Sequence, residues 1–198
     1  MENFGKFIHI DEFCNKQDLR MYRLKNDKRV THSAENIRSG LLKCLKNKKL
    51  EDISVSDIAS ASGVSRGTFY RIFDTPTDVL SYTCDNLIRQ AVKEYSKRRI
   101  NSRDKAAEYL IEFWLQHCEF LEIIFMSRRI DILHKAHEKY IDDIHTPDMA
   151  VFSNDELDYL GATSAAVFSS ILYVWIKHGK KESVPEIVAL YKKFLKEV

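Results

Sequence analysis

Residues that end helices and form tight turns are scarce in this chain: its 198 residues include only six glycines and three prolines. A β-sandwich, a barrel or an α/β protein needs many short connections, and these residues form them. Apolar side chains recur instead at helical spacing, as at Ile37, Leu41 and Leu45. The sequence therefore predicts an all-α protein of about nine helices, and its 44% hydrophobic content is enough for a buried core.

Positive charge is concentrated near the N-terminus. Residues 20–71 carry twelve lysines and arginines against five acids, whereas the whole chain has a net charge of only +2. The remainder of the chain is therefore mildly acidic. This distribution predicts that only the N-terminal part binds a polyanion.

Two short helices joined by a glycine-containing turn are predicted within this basic segment. Ser54 and Asp57 have the spacing of a capping box, which opens a helix that ends before Gly63. Ser65 can cap a second helix, 66–73. Because only three residues join the two helices, they must cross at a steep angle. Such a pair can place the first residues of its second helix in the major groove of DNA.

The second of these helices has one apolar and one polar face. The apolar positions, spaced to build a small core, are Val64, Phe69, Ile72 and Phe73. The polar positions are Arg66, Thr68, Tyr70 and Arg71. Arginine can bond guanine in two places, and hydroxyl groups suit phosphate oxygens. The alternative is a helical corner with solvated charges, which the coincidence of caps, turn and polar face makes less favoured.

The stretches from Ile53 to Ala59 and from Gly63 to Phe73 resemble the DNA-binding domain of the TetR family of bacterial transcription regulators. The resemblance covers about 33–80. It implies an all-helical homodimer with a three-helix DNA-binding domain, a connector helix, and a larger C-terminal domain that dimerises and often binds a small inducer. The positions that commonly face the operator in this family are matched here by Ser54, Ser65, Arg66, Thr68, Tyr70 and Arg71.

Three features depart from the family's pattern. Pro76 stands where many members have a phosphate-binding lysine, Ile72 replaces a frequent histidine or tyrosine, and the segment before the first helix is unusually long. Pro76 is expected to weaken one contact with the DNA backbone. A hypothesis is that the basic leader replaces that contact.

The domain prediction has three parts. Residues 1–30 form an N-terminal extension with a short helix near 11–24, residues 31–75 form the helix-turn-helix DNA-binding domain, and residues 76–198 form the C-terminal dimerisation and ligand-binding domain. Within the last part, residues 76–99 are the connector helix.

A seam suited to dimerisation is predicted near the C-terminus. From Leu157 to His178, apolar and small residues recur at alternating spacings of three and four, which is typical of helices that pack at a shallow angle. With the final helix, this segment would form half of an intermolecular four-helix bundle. The alternative is that the seam is core within one chain. The residues predicted for the interface are Leu160, Ser164, Val167, Ile171, Val174 and Trp175.

Aromatic residues of the C-terminal part are candidates for an inducer pocket, although at helical spacing they more often form plain core. The residues predicted to line the pocket are Phe113, Trp114, His117, Phe125, Tyr140 and Phe168. His134 and His137 lie one turn apart, but a zinc site needs a third ligand, so no metal or other cofactor is predicted. The sequence has no phosphate-binding loop, nucleophile elbow or plausible carboxylate pair, so an enzyme is not expected.

The expected location is the cytoplasm, without membrane binding. The N-terminus lacks the apolar segment of a signal peptide, and the four cysteines match neither a zinc nor a disulfide pattern. The uncharged stretch from Leu160 to Ile176 includes a threonine and several serines, and is interpreted as a buried helix.

These observations predict a sequence-specific, DNA-binding transcription regulator. It is expected to be a homodimeric repressor that a signal in the C-terminal domain, such as a small-molecule inducer, releases from a palindromic double-stranded operator. Two alternatives remain open. One is a TetR-like regulator controlled by a protein partner, and the other is a helical adaptor without a DNA role.

Overall fold

The computed structural model describes residues 28–140, 143–144 and 146–197, with side chains described as far as residue 194. Within these ranges the chain forms nine α-helices and no strand, which confirms the predicted all-α fold. The predicted N-terminal extension and its short helix near 11–24 lie outside the described residues, except that 28–30 already belong to the first helix.

The chain divides into two compact units, of which the first ends at Tyr82. Its described helices are α1 (Lys28–Leu45), α2 (Val55–Ser62), α3 (Arg66–Ile72) and the beginning of α4 (Pro76–Tyr95). A short 3-10 helix, Leu50–Asp52, precedes α2. The fully buried side chains that fill this unit are Ala34, Ile37, Leu41, Ile58, Phe69, Val79 and Leu80.

The first two turns of α4 pack with the first unit, so the division falls at 82 and 83 rather than at the beginning of the helix. The Tyr82 ring lies 5.5 Å from the ring of Phe73, centroid to centroid. Its hydroxyl donates a hydrogen bond to Glu35 Oε1 in α1, at 2.9 Å. These contacts attach the beginning of the predicted connector helix to α1 and to the residue that follows α3.

The second unit begins at Thr83 and holds the remaining helices. They are α5 (Arg103–Gln116), α6 (Cys118–Met126), α7 (Ile130–Tyr140), α8 (Asn154–Lys177) and α9 (Val184–Glu197). The predicted cap of α8 is present as a full capping box: Ser153 Oγ accepts from the Glu156 backbone N–H at 3.3 Å, and the Glu156 carboxylate accepts from the Ser153 backbone N–H at 2.8 Å.

Trp114 is the centre of the second unit's core. It is completely buried, and its indole Nε1 donates a hydrogen bond to His137 Nε2 at 2.7 Å. The His137 ring lies 4.5 Å from the ring of Phe168, so this group joins α5, α7 and α8. Burial and, secondarily, the nearby His134 lower the pKa of His137 to about 3. The imidazole is therefore neutral at physiological pH and acts as a hydrogen-bond acceptor.

The connector helix α4 ends at Tyr95 rather than near Arg99. The chain turns after it: the Lys97 N–H donates to the Glu94 carbonyl oxygen at 3.2 Å, and the Arg98 N–H donates to the Tyr95 carbonyl oxygen at 2.8 Å. Helix α7 is described from Ile130 to Tyr140, and because residues 141 and 142 lie outside the described ranges, its end near Ile144 remains a prediction. Among the described helices, α8 has the length and apolar composition that could cross a membrane. Its buried residues, including Leu172 and Trp175, belong to the core of the second unit.

Candidate nucleic-acid interface

Helix α2 begins with the capping box that its sequence predicts. The Ser54 hydroxyl oxygen accepts a hydrogen bond from the Asp57 backbone N–H at 3.1 Å. In return, Asp57 Oδ2 accepts from the Ser54 backbone N–H at 2.9 Å and from its hydroxyl at 2.7 Å. The exchange fixes the first turn of α2.

Lys48 adds a third partner to this cap. Its Nζ lies 2.8 Å from Asp57 Oδ1, and this contact connects the basic turn after α1 to the beginning of α2. The hydrogen bond from Lys48, followed by those from Ser54, lowers the pKa of the Asp57 carboxyl far below its ordinary range. The Lys48 ammonium is therefore engaged by the protein itself. The neighbouring Lys46 and Lys49 are exposed in the same turn, and Lys49 Nζ lies 4.0 Å from Glu51 Oε1.

The turn between α2 and α3 has the geometry that the glycine predicts. Gly63 has φ 71° and ψ 18°, in the left-handed region where a side chain is strained. Ser65 then caps α3: its hydroxyl oxygen accepts from the Thr68 backbone N–H at 3.1 Å and lies 3.0 Å from the Thr68 hydroxyl. Three residues thus reverse the chain and start the second helix.

The faces of α3 separate as predicted at most positions. Phe69, Ile72 and the following Phe73 are buried, whereas Val64 is only half-buried because it lies in the turn. The exposed positions include Arg66, Tyr70 and Arg71. Arg66 and Tyr70 are one turn apart on the same side of the helix. The Tyr70 ring is 44% exposed and packs edge-on against Phe69, with 5.7 Å between centroids.

The six residues predicted to face DNA therefore have two structural roles. The hydroxyls of Ser54 and Ser65 cap α2 and α3, and the Thr68 hydroxyl contacts that of Ser65. The other three carry the exposed polar surface of α3; we call this set, Arg66, Tyr70 and Arg71, the recognition face.

The beginning of α4, like that of α2, carries a carboxylate in its first turn. Asp78 Oδ2 accepts hydrogen bonds from the backbone N–H groups of Thr75, at 2.7 Å, and Asp74, at 3.2 Å. A carboxylate thus already binds the N–H groups in front of Pro76, where the family commonly contacts a phosphate. A second anion is disfavoured there, and the weakening of one backbone contact at Pro76 remains a prediction.

Gly40 is a residue of this site that the sequence reasoning missed. A Cβ built on it would lie 2.7 Å from Ser62 Cβ and 2.9 Å from the Ile58 carbonyl oxygen, so α1 and α2 approach too closely for any side chain. The available signal was a glycine in the middle of a strongly periodic helix.

Glu35 was also missed, and it links α1 to α4. Its carboxylate accepts from Arg38 Nε at 2.8 Å within α1 and from the Tyr82 hydroxyl of α4 at 2.9 Å. No local pattern indicates this pair, because its members are 47 positions apart.

Most of the residues predicted to bind an inducer are buried in the second unit. Five of the six are buried, namely Phe113, Trp114, Phe125, Tyr140 and Phe168. The sixth, His117, is half-buried between α5 and α6, with its ring 4.5 Å from that of Phe113. The second unit has a cavity of about 160 Å³ and a surface groove of about 580 Å³, and none of the six lines either of them. Their role in ligand binding remains a prediction.

The predicted dimer seam is divided between these two spaces. Val167, Ile171, Val174 and Trp175 line the groove, together with residues of α9. Leu160 and Ser164 line the cavity instead. In the part of the chain that the structure describes, no group of three or more histidines, cysteines and acids is placed to hold a metal ion.

Comparison with known proteins gives similarity in fold. No family model matches the sequence, and no curated protein matches it. The crystal structure of Lin0861 from Listeria innocua superposes with a TM-score of 0.73 at 17% identity, over 87% of this chain and 94% of that one. A putative TetR-family transcriptional regulator from Syntrophomonas wolfei gives 0.61 at 19% identity, over 84% and 94%. The dihydroxyacetone kinase operon activator DhaS gives 0.54 at 18% identity, over 83% and 92%.

The described chain therefore has the fold of the TetR-family transcriptional regulators, which confirms the resemblance carried by residues 53–73. What fold and site together define is a helical protein with a capped helix-turn-helix unit in its first compact unit.

Proposed function

We propose that this protein is a homodimeric, sequence-specific DNA-binding regulator whose recognition helix is α3. The observation that carries the proposal is the construction of the α2–turn–α3 unit. Both helices are capped, the turn residue Gly63 is in the left-handed conformation, and Phe69 and Ile72 anchor α3 so that the recognition face stays exposed. A rigid, exposed polar helix of this kind fits the major groove.

The recognition face would contact base edges, and the lysines at the end of α1 and in the turn after it would contact phosphates. Arg66, the first residue of α3, is placed to bond a base edge in two places, and such a contact is worth about 1–3 kcal/mol of discrimination. Lys43, Lys46 and Lys49 are exposed and suited to neutralise phosphates. Because phosphate contacts release counterions, most of the affinity should fall steeply with salt.

The groove on α8 and α9 supports dimerisation through a second copy of the chain. Val174 and Phe194 are each 44% exposed there, beside Leu190. An apolar surface on a central helix is stabilised when a twofold-related copy covers it. Two copies would present two recognition helices to half-sites about 34–36 Å apart on a palindromic operator.

The proposed direction of regulation is repression, by occlusion of a promoter, with release caused by a signal in the C-terminal unit. DhaS shares the fold and is an operon activator. A transcription assay with the selected operator, with and without the protein, decides the direction: we expect fewer transcripts when the protein is present.

The experiment that tests the function is selection of duplexes from a random pool by the purified full-length protein. We expect a palindrome with two half-sites about one helical turn apart. The double variant Arg66→Ala, Tyr70→Phe should fail to enrich it, whereas Lys135→Ala, an exposed cation of the second unit, should select the same sequence. Absence of any enriched sequence with the wild-type protein would overturn the proposal.

A further inference from the structure

The second unit contains a cavity that none of the residues predicted to bind an inducer lines. Its volume of about 160 Å³ lies among α5, α8, α9 and the segment before α8. Apolar side chains form most of its wall, among them Ala106, Ala107, Leu110 and Leu160. An apolar cavity of about 150 Å³ is known to admit benzene, so this one has room for a single small molecule.

One wall of the cavity holds a buried hydroxyl whose hydrogen-bonding capacity is unused. Thr146 is only 5% exposed, and its Oγ1 has no hydrogen-bond partner among the described residues. The hydroxyl is directed toward the Asp148 carboxylate and is the main cause of that group's lowered pKa, but the contact falls short of full hydrogen-bonding geometry, so the lone pairs of Thr146 Oγ1 stay open to an occupant. Burying a hydroxyl without a partner is costly, so the site favours an occupant that supplies one.

A second hydroxyl lines the same space. Tyr191 is buried, and burial raises the pKa of its phenol, although the adjacent Ser164 hydroxyl acts in the opposite direction. The phenol therefore remains protonated and can donate a hydrogen bond. The cavity thus combines apolar walls with neutral hydrogen-bonding groups from three separate parts of the chain.

The charged groups at this cavity neutralise one another. The Arg103 Nε lies 3.4 Å from Asp148 Oδ2, and the Arg103 backbone N–H also donates to that carboxylate. Lys192 Nζ lies 3.2 Å from Asp104 Oδ2. With two cations paired to two carboxylates, no net charge is left to attract an ion, and an ionic occupant would lose hydration without compensation.

We propose that this cavity is a binding site for a small, uncharged, mainly apolar molecule that carries one hydroxyl or carbonyl group, such as a phenol, a cyclic alcohol or a cyclic ketone. The Thr146 hydroxyl is its polar anchor. Helices α8 and α9 line both this cavity and the groove assigned to the second copy. An effect of occupancy on operator binding rests on the proposed function, whereas occupancy itself does not.

The test compares three probes of similar size: phenol, toluene and benzoate. Each is titrated at millimolar concentration into the full-length protein, and the methyl NMR signals of Ala106 and Ala107 report occupancy. We expect saturable shifts with phenol, about fivefold weaker binding of toluene because it lacks the hydrogen bond, and no saturable shift with benzoate. Thr146→Val should abolish the preference for phenol, and Thr163→Val, on α8 but outside the cavity lining, should retain it.

Each contrary result has a definite meaning. If neither neutral probe shifts the alanine methyls, the cavity holds water only and the proposal is wrong. Equal affinities for phenol and toluene in the wild type, which need no variant to measure, would overturn the role of Thr146, and so would stronger binding of benzoate. Operator selection is measured without any of these probes, so the two proposals fail independently. A protein that selects an operator but does not bind phenol refutes only the proposed cavity site. A protein that binds phenol but selects no operator refutes only the DNA-binding function.

Discussion

Gly40 of α1 lies so close to Ser62 of α2 that a Cβ atom on the glycine would be 2.7 Å from the serine Cβ. The same atom would lie 2.9 Å from the Ile58 carbonyl oxygen. Because this second neighbour is backbone, α2 cannot make room by rotating a side chain. The contact therefore sets the separation between α1 and the helix pair that carries the recognition face.

Gly40→Ala should destabilise the protein by about 1–3 kcal/mol, because the added methyl forces α1 and α2 apart. Gly67→Ala is the matched control. A Cβ at that position meets only Ser65 Oγ, at 3.8 Å, and alanine is the better helix former by about 0.5–1 kcal/mol. Urea unfolding monitored by circular dichroism measures both changes. Equal stability of the two variants would show that the close approach has no energetic consequence.

Arg66→Ala and Arg71→Ala should weaken operator binding in different ways. Arg66 begins α3, where base contacts are made, so its loss should cost about 1–3 kcal/mol on the selected operator and relax the sequence preference. Arg71 lies in the last turn of the helix, where we expect it to contact the phosphate backbone rather than a base. Its loss should weaken binding to all duplexes alike, and the slope of log affinity against log salt concentration should decrease by about one. Fluorescence anisotropy at several salt concentrations, with specific and random duplexes, separates the two; identical behaviour would contradict the assignment.

The stability of the second unit should fall in mild acid because of His137. Its pKa is lowered to about 3 in the folded protein, against about 6.5 unfolded, so the unfolded chain binds the extra proton between these values. The free energy of unfolding contributed by neutral His137 is complete above pH 6.5 and decreases by about 1.4 kcal/mol per unit below it.

His137→Gln is the variant that isolates this effect, since glutamine does not titrate and can still accept the Trp114 hydrogen bond. The stability difference between wild type and variant, measured by urea unfolding at pH 6.5 and 5, should change in the variant's favour as the pH falls. The contributions of the other histidines to the pH dependence are the same in both proteins and cancel in the difference. A difference that stays constant with pH would mean that His137 is not held neutral.

Val174→Glu should convert the proposed dimer to monomers, because a charge in the groove cannot be buried against a second copy. Tyr159→Glu provides the control on the same helix: Tyr159 is more exposed, at 78%, but lies outside the groove. Sedimentation velocity gives the masses directly. Dissociation by the Tyr159 variant alone would place the interface elsewhere on α8.

The sequence by itself determined the local features of this protein. The caps at Ser54, Ser65 and Ser153 were predictable because a cap acts over three residues, and the left-handed turn at Gly63 because only glycine adopts it without strain. The buried and exposed faces of α3 were predictable from helical periodicity, which is also a short-range pattern. The family resemblance rested on these short-range signals, and it extended the prediction to the whole fold.

Only the tertiary structure decided which surfaces meet. The Glu35–Tyr82 bond, the close approach at Gly40, and the division of the α8 seam between a cavity and a groove all depend on helices far apart in the sequence. An aromatic residue at helical spacing is compatible with core or with a pocket, and packing alone placed Trp114 in the core. The sequence could not predict the buried hydroxyl of Thr146 beside the cavity either. Periodicity tells which face of a helix is buried, but not what that face is buried against.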